Sequence, residues 1–369
     1  MKKLLVSAVS VAALAAPAMA QEFVPAEYEN SAMIEQIGTA NQAITDQTWG
    51  GLINGQALSM TTQNGDSNRA TTFQTGFTST SGSYENTAEI IQGENPAGNG
   101  SGVGNEARVR QIHDYGSGGA NNARVLQPTD NGFAVLRQRG FDNDARITQT
   151  RASANAIARV DQNGNNNFAR VIMRSTNGDV DIDQGRFRGV GNISGAPAES
   201  TFNRAVVRSF GVNDSVFVEQ YGSTNRATVD VTDTAISGIV NVRTDGFFND
   251  VTVEQAGQSG TINVNQNQLV MLGDNTATVR QASGDFESSA TINQDGYLGV
   301  STIIQGDLSG SLSSSNNEAT ATQTGSSMSA ESSILQTGSM NTANVTQATA
   351  AAMSTVTQMG VSQTASVSQ

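Results

Sequence analysis

Gln138-Arg139-Gly140-Phe141-Asp142-Asn143-Asp144-Ala145-Arg146-Ile147-Thr148-Gln149 is the stretch whose reading decides the fold. Its kept positions are Gln, Gly two residues on, Asn at five, Ala at seven, Ile at nine and Gln again at eleven. The closing Gln opens the next copy, so the unit chains head to tail. Working outward, Gln-x-Gly-x-x-Asn-x-Ala stands complete in six places. They are Gln36/Gly38/Asn41/Ala43, Gln63/Gly65/Asn68/Ala70, Gln138/Gly140/Asn143/Ala145, Gln162/Gly164/Asn167/Ala169, Gln220/Gly222/Asn225/Ala227 and Gln336/Gly338/Asn341/Ala343. Eroded copies keep Gln47, Gln74, Gln127, Gln149, Gln184, Gln255, Gln266, Gln281, Gln294, Gln305, Gln323, Gln347, Gln358 and Gln369, while Met173 stands where a Gln is due. Recurrence at fixed offsets is the signature of a structured repeat and not of disorder.

The run Ala-x-Val/Ile-x-Gln alternates with period two, as a strand with one buried face does. Ala145, Ile147 and Gln149 are therefore expected inside, and Arg146, like Arg108, Arg124, Arg159 and Arg170, outside. Gly-rich insertions fall between the Gly and the Asn of a unit and spare the alternating run. Turns tolerate length changes and paired strands do not. Gly38, Gly65, Gly140, Gly164, Gly222 and Gly338 are thus read as turn residues supplying φ > 0, with Asn bonding the local backbone. Two strands and two turns make a rung of about 22 residues, and some 26 strand positions make about 13 rungs. The expected fold is all-β: a β-solenoid or cross-β stack with two narrow facing sheets. Gln, Asn and Ala of successive units form its core ladder, in which stacked amides satisfy one another.

The composition agrees. Charged residues are 14% and aromatics 5% of 369, too few large apolar side chains for a conventional globular core. Lys2 and Lys3, the apolar stretch 4–16 and Ala18-Met19-Ala20 read as a secretory signal peptide cleaved after residue 20. Residues 21–33 read as an extended leader, and 34–369 as the repeat, with insertions near 93–102, 115–120, 185–200 and 306–316. Thr48 to Ser59, with Trp49, reads as an atypical spacer. The two lysines leave with the signal, so 18 arginines face 33 acids and the net charge becomes about −15, which opposes non-specific nucleic-acid binding. There is no Cys, hence neither a disulfide nor a thiolate metal site. No membrane span is expected after the signal. The repeat runs to Gln369 with no capping unit after it, and an open strand edge templates another chain, so rungs are expected to continue across molecules.

At these residues the chain resembles the curlin repeat family, the secreted subunits of curli functional amyloid fibres. The family pattern is Ser-x5-Gln-x-Gly-x-x-Asn-x-Ala-x-x-x-Gln, and all but its leading Ser stands at Gln36–Gln47, Gln63–Gln74, Gln138–Gln149 and Gln336–Gln347. The resemblance spans roughly Ile34 to Gln369 in a chain with more units than a five-repeat subunit. It implies a homopolymer fibre on the bacterial surface, serving adhesion and biofilm matrix, with a nucleator subunit and outer-membrane secretion machinery as partners.

Other chemistry finds little footing. His113 is the one histidine, and no carboxylate–His–nucleophile set exists, so no catalytic residue, cofactor or metal site is assigned. Asp179, Asp181 and Asp183 alternate with Val180 and Ile182. Three carboxylates on one face could hold Ca²⁺ weakly, but the calcium-solenoid motif is absent, and a solvated face that discourages stacking is the better reading. The outward arginines could meet anionic polysaccharide or DNA, although a solvated face again fits the acidic total. The rival from another class is a soluble monomeric solenoid binding ice or polysaccharide, or an adhesin. Ice binding wants Thr-x-Thr arrays such as Thr276/Thr278, yet Arg146 and Arg170 occupy that offset.

Overall fold

The computed structural model describes residues 31–50, 55–77, 84–93, 102–113, 119–150, 153–185, 200–267, 274–296, 298–306, 314–324 and 328–369. The signal segment, most of the leader and most of each insertion lie outside these. The described residues form strands and turns with no helix, as the alternation requires. They belong to two compact units, Met1–Asn177 and Gly178–Gln369.

In the first unit, one parallel sheet runs Ser31–Ile37, Gly55–Asn64, Tyr84–Gln92, Gly119–Gln127, Asp144–Gln149, Phe168–Met173. Its partner sheet runs Gln42–Gly50, Arg69–Phe77, Glu106–His113, Phe133–Arg139, Ile157–Asn165. Strands adjacent in sequence therefore fall in different sheets, and each pairs with the strand two further on. In the second unit, one sheet runs Arg204–Ser209, Arg226–Val231, Asp250–Gln255, Thr276–Gln281, Val300–Gln305, Glu331–Ser339, Met353–Val361. The other runs Asp179–Gln184, Ser215–Ser223, Ile239–Phe247, Thr261–Asn267, Ser289–Gln294, Glu318–Gln323, Thr342–Gln347, Thr364–Ser368. Each unit is a β-solenoid of two parallel sheets.

Pairing is in register by repeat offset. Ala145 lies beside Ala123 and Ala169, and Ile147 beside Val125 and Val171. A one-residue slip would turn every inward side chain outward, so the buried column holds the register. The core is that column: Ala145, Ile147, Val171, Val229 and Val253 are buried, whereas Arg146 and Arg170 are exposed.

Two sequence readings change. The spacer around Trp49 is largely strand in its backbone, since Gln42–Gly50 and Gly55–Asn64 leave only 51–54 undescribed. The first strand begins at Ser31, so it takes in the last three residues of the leader. The leader lacks Gly-x-x-Asn punctuation, and the spacer's Gly51-x-x-Asn54 stands four residues after Gln47 instead of two, yet neighbouring strands supply backbone partners and extend the pairing, as Ser31 opposite Leu58 and Trp49 opposite Gly76 show.

Candidate functional site

The feature repeated through both units is a pair of amide columns. In the first unit, Gln36, Gln63, Gln92, Gln127 and Gln149 stand one above another, each Nε2 donating to the next Oε1 at 2.5, 2.8, 3.0 and 2.7 Å. In the facing sheet Gln47, Gln74, Gln111, Gln138 and Gln162 repeat this at 2.8, 2.8, 2.9 and 3.0 Å. The second unit joins Gln184 to Gln220, then Gln266, Gln294, Gln323 and Gln347, and in the other sheet Gln281, Gln305, Gln336 and Gln358. Every one of these bonds points the same way along the stack, from the earlier residue to the later. Most of these Nε2 groups are also tied to backbone carbonyls: that of Gln138 donates to the carbonyls of Asn122 and Asn143 at 2.9 and 3.0 Å.

Asparagines make a second set of axial bonds. The Oδ1 of Asn143 accepts the N–H of Asn167 at 3.1 Å, and its Nδ2 donates to the carbonyl of Gly164 at 2.8 Å. Asn41 and Asn68 do the same toward the N–H of Asn68 and Asn105, and Asn225 and Asn341 toward the N–H of Asn249 and Gln363. Asn86, Asn121, Asn203 and Asn317 extend the set. The Asn side chain thus joins neighbouring rungs. Local bonds to the fourth residue back also occur, as from Asn225 to the carbonyl of Tyr221 at 2.7 Å.

The glycines sit where expected, with φ of 103° at Gly140 and 86° at Gly222. A Cβ on Gly140 would fall 2.1 Å from the carbonyl oxygen of Gly164, so the next rung forbids one as firmly as the backbone angle does. Gly38, Gly65, Gly164 and Gly338 share the positive φ. Sequence reasoning missed a second left-handed position, immediately before the Asn. Ala40, Ser67, Asp142, Asn166, Thr224 and Met340 occupy it with φ of 56–63°. Its signal was faint, because Ala, Ser, Thr and Met share no chemistry and only the scatter of Asn at that offset hinted at αL.

Among the ladder residues, Ala70, Ala145, Ala169, Ala227 and Ala343 are fully buried with their Gln neighbours, whereas Ala43, Gln36, Gln47 and Asn41 are half-buried. Gln369 departs from the expectation. It is exposed, and it bonds the Oγ of Ser354 and the carbonyl of Met353 instead of taking the amide of Gln347.

The ladder is also interrupted. Met173 follows Gln149, with Nε2 to Sδ at 3.9 Å. In the second unit Ser209 and Val231 precede Gln255 in register, and Thr244 separates Gln220 from Gln266. The buried Oε1 atoms of Gln255 and Gln266 consequently lack a donor.

The outer face carries matched charges. Arg124 meets Glu89 at 2.8 Å, Arg208 meets Asp230 at 3.0 Å and Arg280 meets Glu254 at 3.0 Å, each across adjacent strands. Exposed pairs of this kind contribute ~0.2–1 kcal/mol each. Asp183 corrects the expected solvated acidic face, because it is buried beside Glu219 of the next strand. Burial first, then Glu219 and Asp183, push the phenol of Tyr221 up from its ordinary value. Among the described residues no three His, Cys, Asp or Glu side chains come together as a metal site. His113 ends the strand Glu106–His113, and its side chain lies outside the described residues.

No curated protein matches the chain. Residues 314–348 match the family model of the Curlin associated repeat. The match is far shorter than the span from Ile34 to Gln369 over which the motif was read, and it takes in the complete unit Gln336–Gln347, one of six. Residues 314–348 are thus similar to the Curlin associated repeat.

Proposed function

We propose that this protein is a secreted structural subunit of a curli-like extracellular fibre, assembled by stacking rungs of one copy on rungs of another. The observation that carries the reading is the one-directional ladder. Where the ladder is intact, a rung donates through Gln Nε2 on one side and accepts through Gln Oε1 on the other, so that rung-to-rung contact is self-complementary and heterologous, the kind that builds filaments. Parallel, in-register pairing of like side chains is cross-β geometry. The signal-like segment at residues 1–20 supports export, and the curlin repeat supports a place at the bacterial surface, in adhesion and biofilm matrix, beside a nucleator and an outer-membrane secretion system. The role is structural, without catalysis, cofactor or specific nucleic acid.

Purified chain lacking residues 1–20 should gain β-structure after a lag, lose the lag when seeded with its own fibres, and diffract with a meridional reflection near ~4.7–4.8 Å. A monodisperse monomer persisting for days at micromolar concentration would overturn the proposal in favour of a soluble solenoid.

A further inference from the structure

In the second unit the residue that enters each strand of the sheet containing Ser215–Ser223 forms a column defined by backbone bonds. Asp179 N–H donates to Asp214, Ser215 to Gly238, Ile239 to Gly260, Thr261 to Ser288, Ser289 to Asn317 and Glu318 to Asn341, all at 2.8–2.9 Å. This is the Asn position of the repeat. Asp214, Gly238, Gly260, Ser288, Asn317 and Asn341 fill it, and Asp214 alone among these can ionise.

Asp214 takes up the Asn geometry. Its Oδ1 accepts the N–H of Gly238 at 3.1 Å, as Asn203 accepts that of Asn225 at 2.9 Å. It is 1% exposed, and its Oδ2 is buried against Gly211 with no well-formed hydrogen bond. An Asn here would present a neutral amide, whereas an ionised Asp presents a full charge with neither Arg nor Lys paired to it among the described residues. We propose that Asp214 makes this rung of the stack pH-dependent, closing it when the carboxyl is neutral and loosening it when the carboxyl ionises. The device rests on the fold of the second unit and not on fibre formation.

Burial is the largest cause acting on the group, raising it to about 7 against the opposing backbone N–H groups of Gly238 and Gly211. The elements packed around it carry Asp179 on the preceding strand, Arg208 on the facing strand, Glu219 on the strand it leads into, Asp233 in the following turn, and Arg243 and Asp245 on the next strand, Ile239–Phe247. None of these is among the causes of the shift, and Arg208 is committed to Asp230. The folded value lies above the unfolded one, so the contribution is fully present below the unfolded carboxylate range. It is lost as pH rises through about 7.

The test is hydrogen–deuterium exchange of the mature chain, read on peptides covering 209–223 and corrected for intrinsic exchange at each pH, with 138–149 as an internal control. Protection of 209–223 should fall about tenfold between pH 6 and pH 8, while 138–149 stays level. Asp214→Asn, which restores the residue the repeat itself uses, should flatten that profile and hold protection high at pH 8. Asp285, a second buried acid raised to about 6, is left intact in both proteins and its share cancels in the comparison. A level profile in the parent chain, or an unchanged slope in Asp214→Asn, would overturn the proposal. Either result can be read in monomer or fibre, so the failure of fibre assembly is a separate outcome.

Discussion

Gln138→Met isolates what one amide contributes to the ladder. The substitution is sterically rehearsed by the chain itself, because Met173 occupies the corresponding position of the facing column one rung along and is fully buried. Shape and volume are therefore nearly conserved, and the loss is confined to hydrogen bonds. Gln111 loses its acceptor at 2.9 Å but keeps the carbonyls of Thr87 and Asn121, both at 3.0 Å. The carbonyl of Asn143 loses Nε2 and keeps the N–H of Asn122 at 2.8 Å. Gln162 is different, since the bond from Gln138 at 3.0 Å supplies its Oε1 from within a buried column.

One orphaned buried acceptor costs ~1–3 kcal/mol, with a midpoint of ~2, and added apolar burial returns ~1 kcal/mol, so a net loss of ~1 kcal/mol is expected. Peptide-resolved hydrogen exchange across 133–149 and 157–165 should show protection falling about fivefold, with the strand at 55–64 unchanged. If protection stays within a factor of two of the parent, the backbone pairing alone holds the rung. The assignment of the amide column as the functional site would then be wrong.

Two further outcomes follow from the same geometry. Ala145→Glu puts a carboxylate into a fully buried slot between Ala123 and Ala169, whereas Arg146→Glu exchanges one exposed charge for another. The first should lengthen the assembly lag severalfold or abolish assembly and the second leave it near the parent value, in a thioflavin time course; equal effects would mean the inside–outside assignment is reversed. Thr224 is β-branched and held at φ 63°, so Thr224→Asn should stabilise its rung by ~1 kcal/mol, read as a guanidinium midpoint shifted upward, and a downward shift would show that the turn is not strained there.

The fold was legible because a solenoid writes its structure along the chain. The period-two run from Ala145 to Gln149 gives the strand and its buried face, and the head-to-tail Gln gives the stack. What the unit does not state is which sheet a given copy joins. Gln138 and Gln149 are neighbours in sequence and members of opposite columns, bonded to Gln162 and Gln127 respectively. Rung length was also hidden, since successive ladder members lie 22 residues apart at Gln127 and Gln149 but 37 apart at Gln74 and Gln111. The left-handed residue before each Asn escaped notice because its side chain is nearly free to vary. Buried Asp183 escaped because alternation alone places it outside, and only its stacking beside Glu219 near Tyr221 covers it.

The ladder explains cohesion between rungs better than it explains order among them. Backbone bonds form between any two strands of this geometry, and Gln on Gln is satisfied by every other Gln-bearing rung, so a shift by one whole rung costs the amide columns little. The outer face breaks that degeneracy. Arg208 stands opposite Asp230, Glu219 opposite Arg243 and Glu254 opposite Arg280, each pair matched one rung apart. A one-rung shift would bring Asp230 toward Arg280 and leave Arg208 facing Glu254, which retains attraction. The same shift sets Glu219 against Asn265 in place of Arg243, and that exchange loses a pair. Each exposed pair is worth ~0.2–1 kcal/mol, small beside the backbone but comparable to the difference between two registers that share every amide bond. Identical columns thus favour stacking on any copy, and the departures from identity select the register within one.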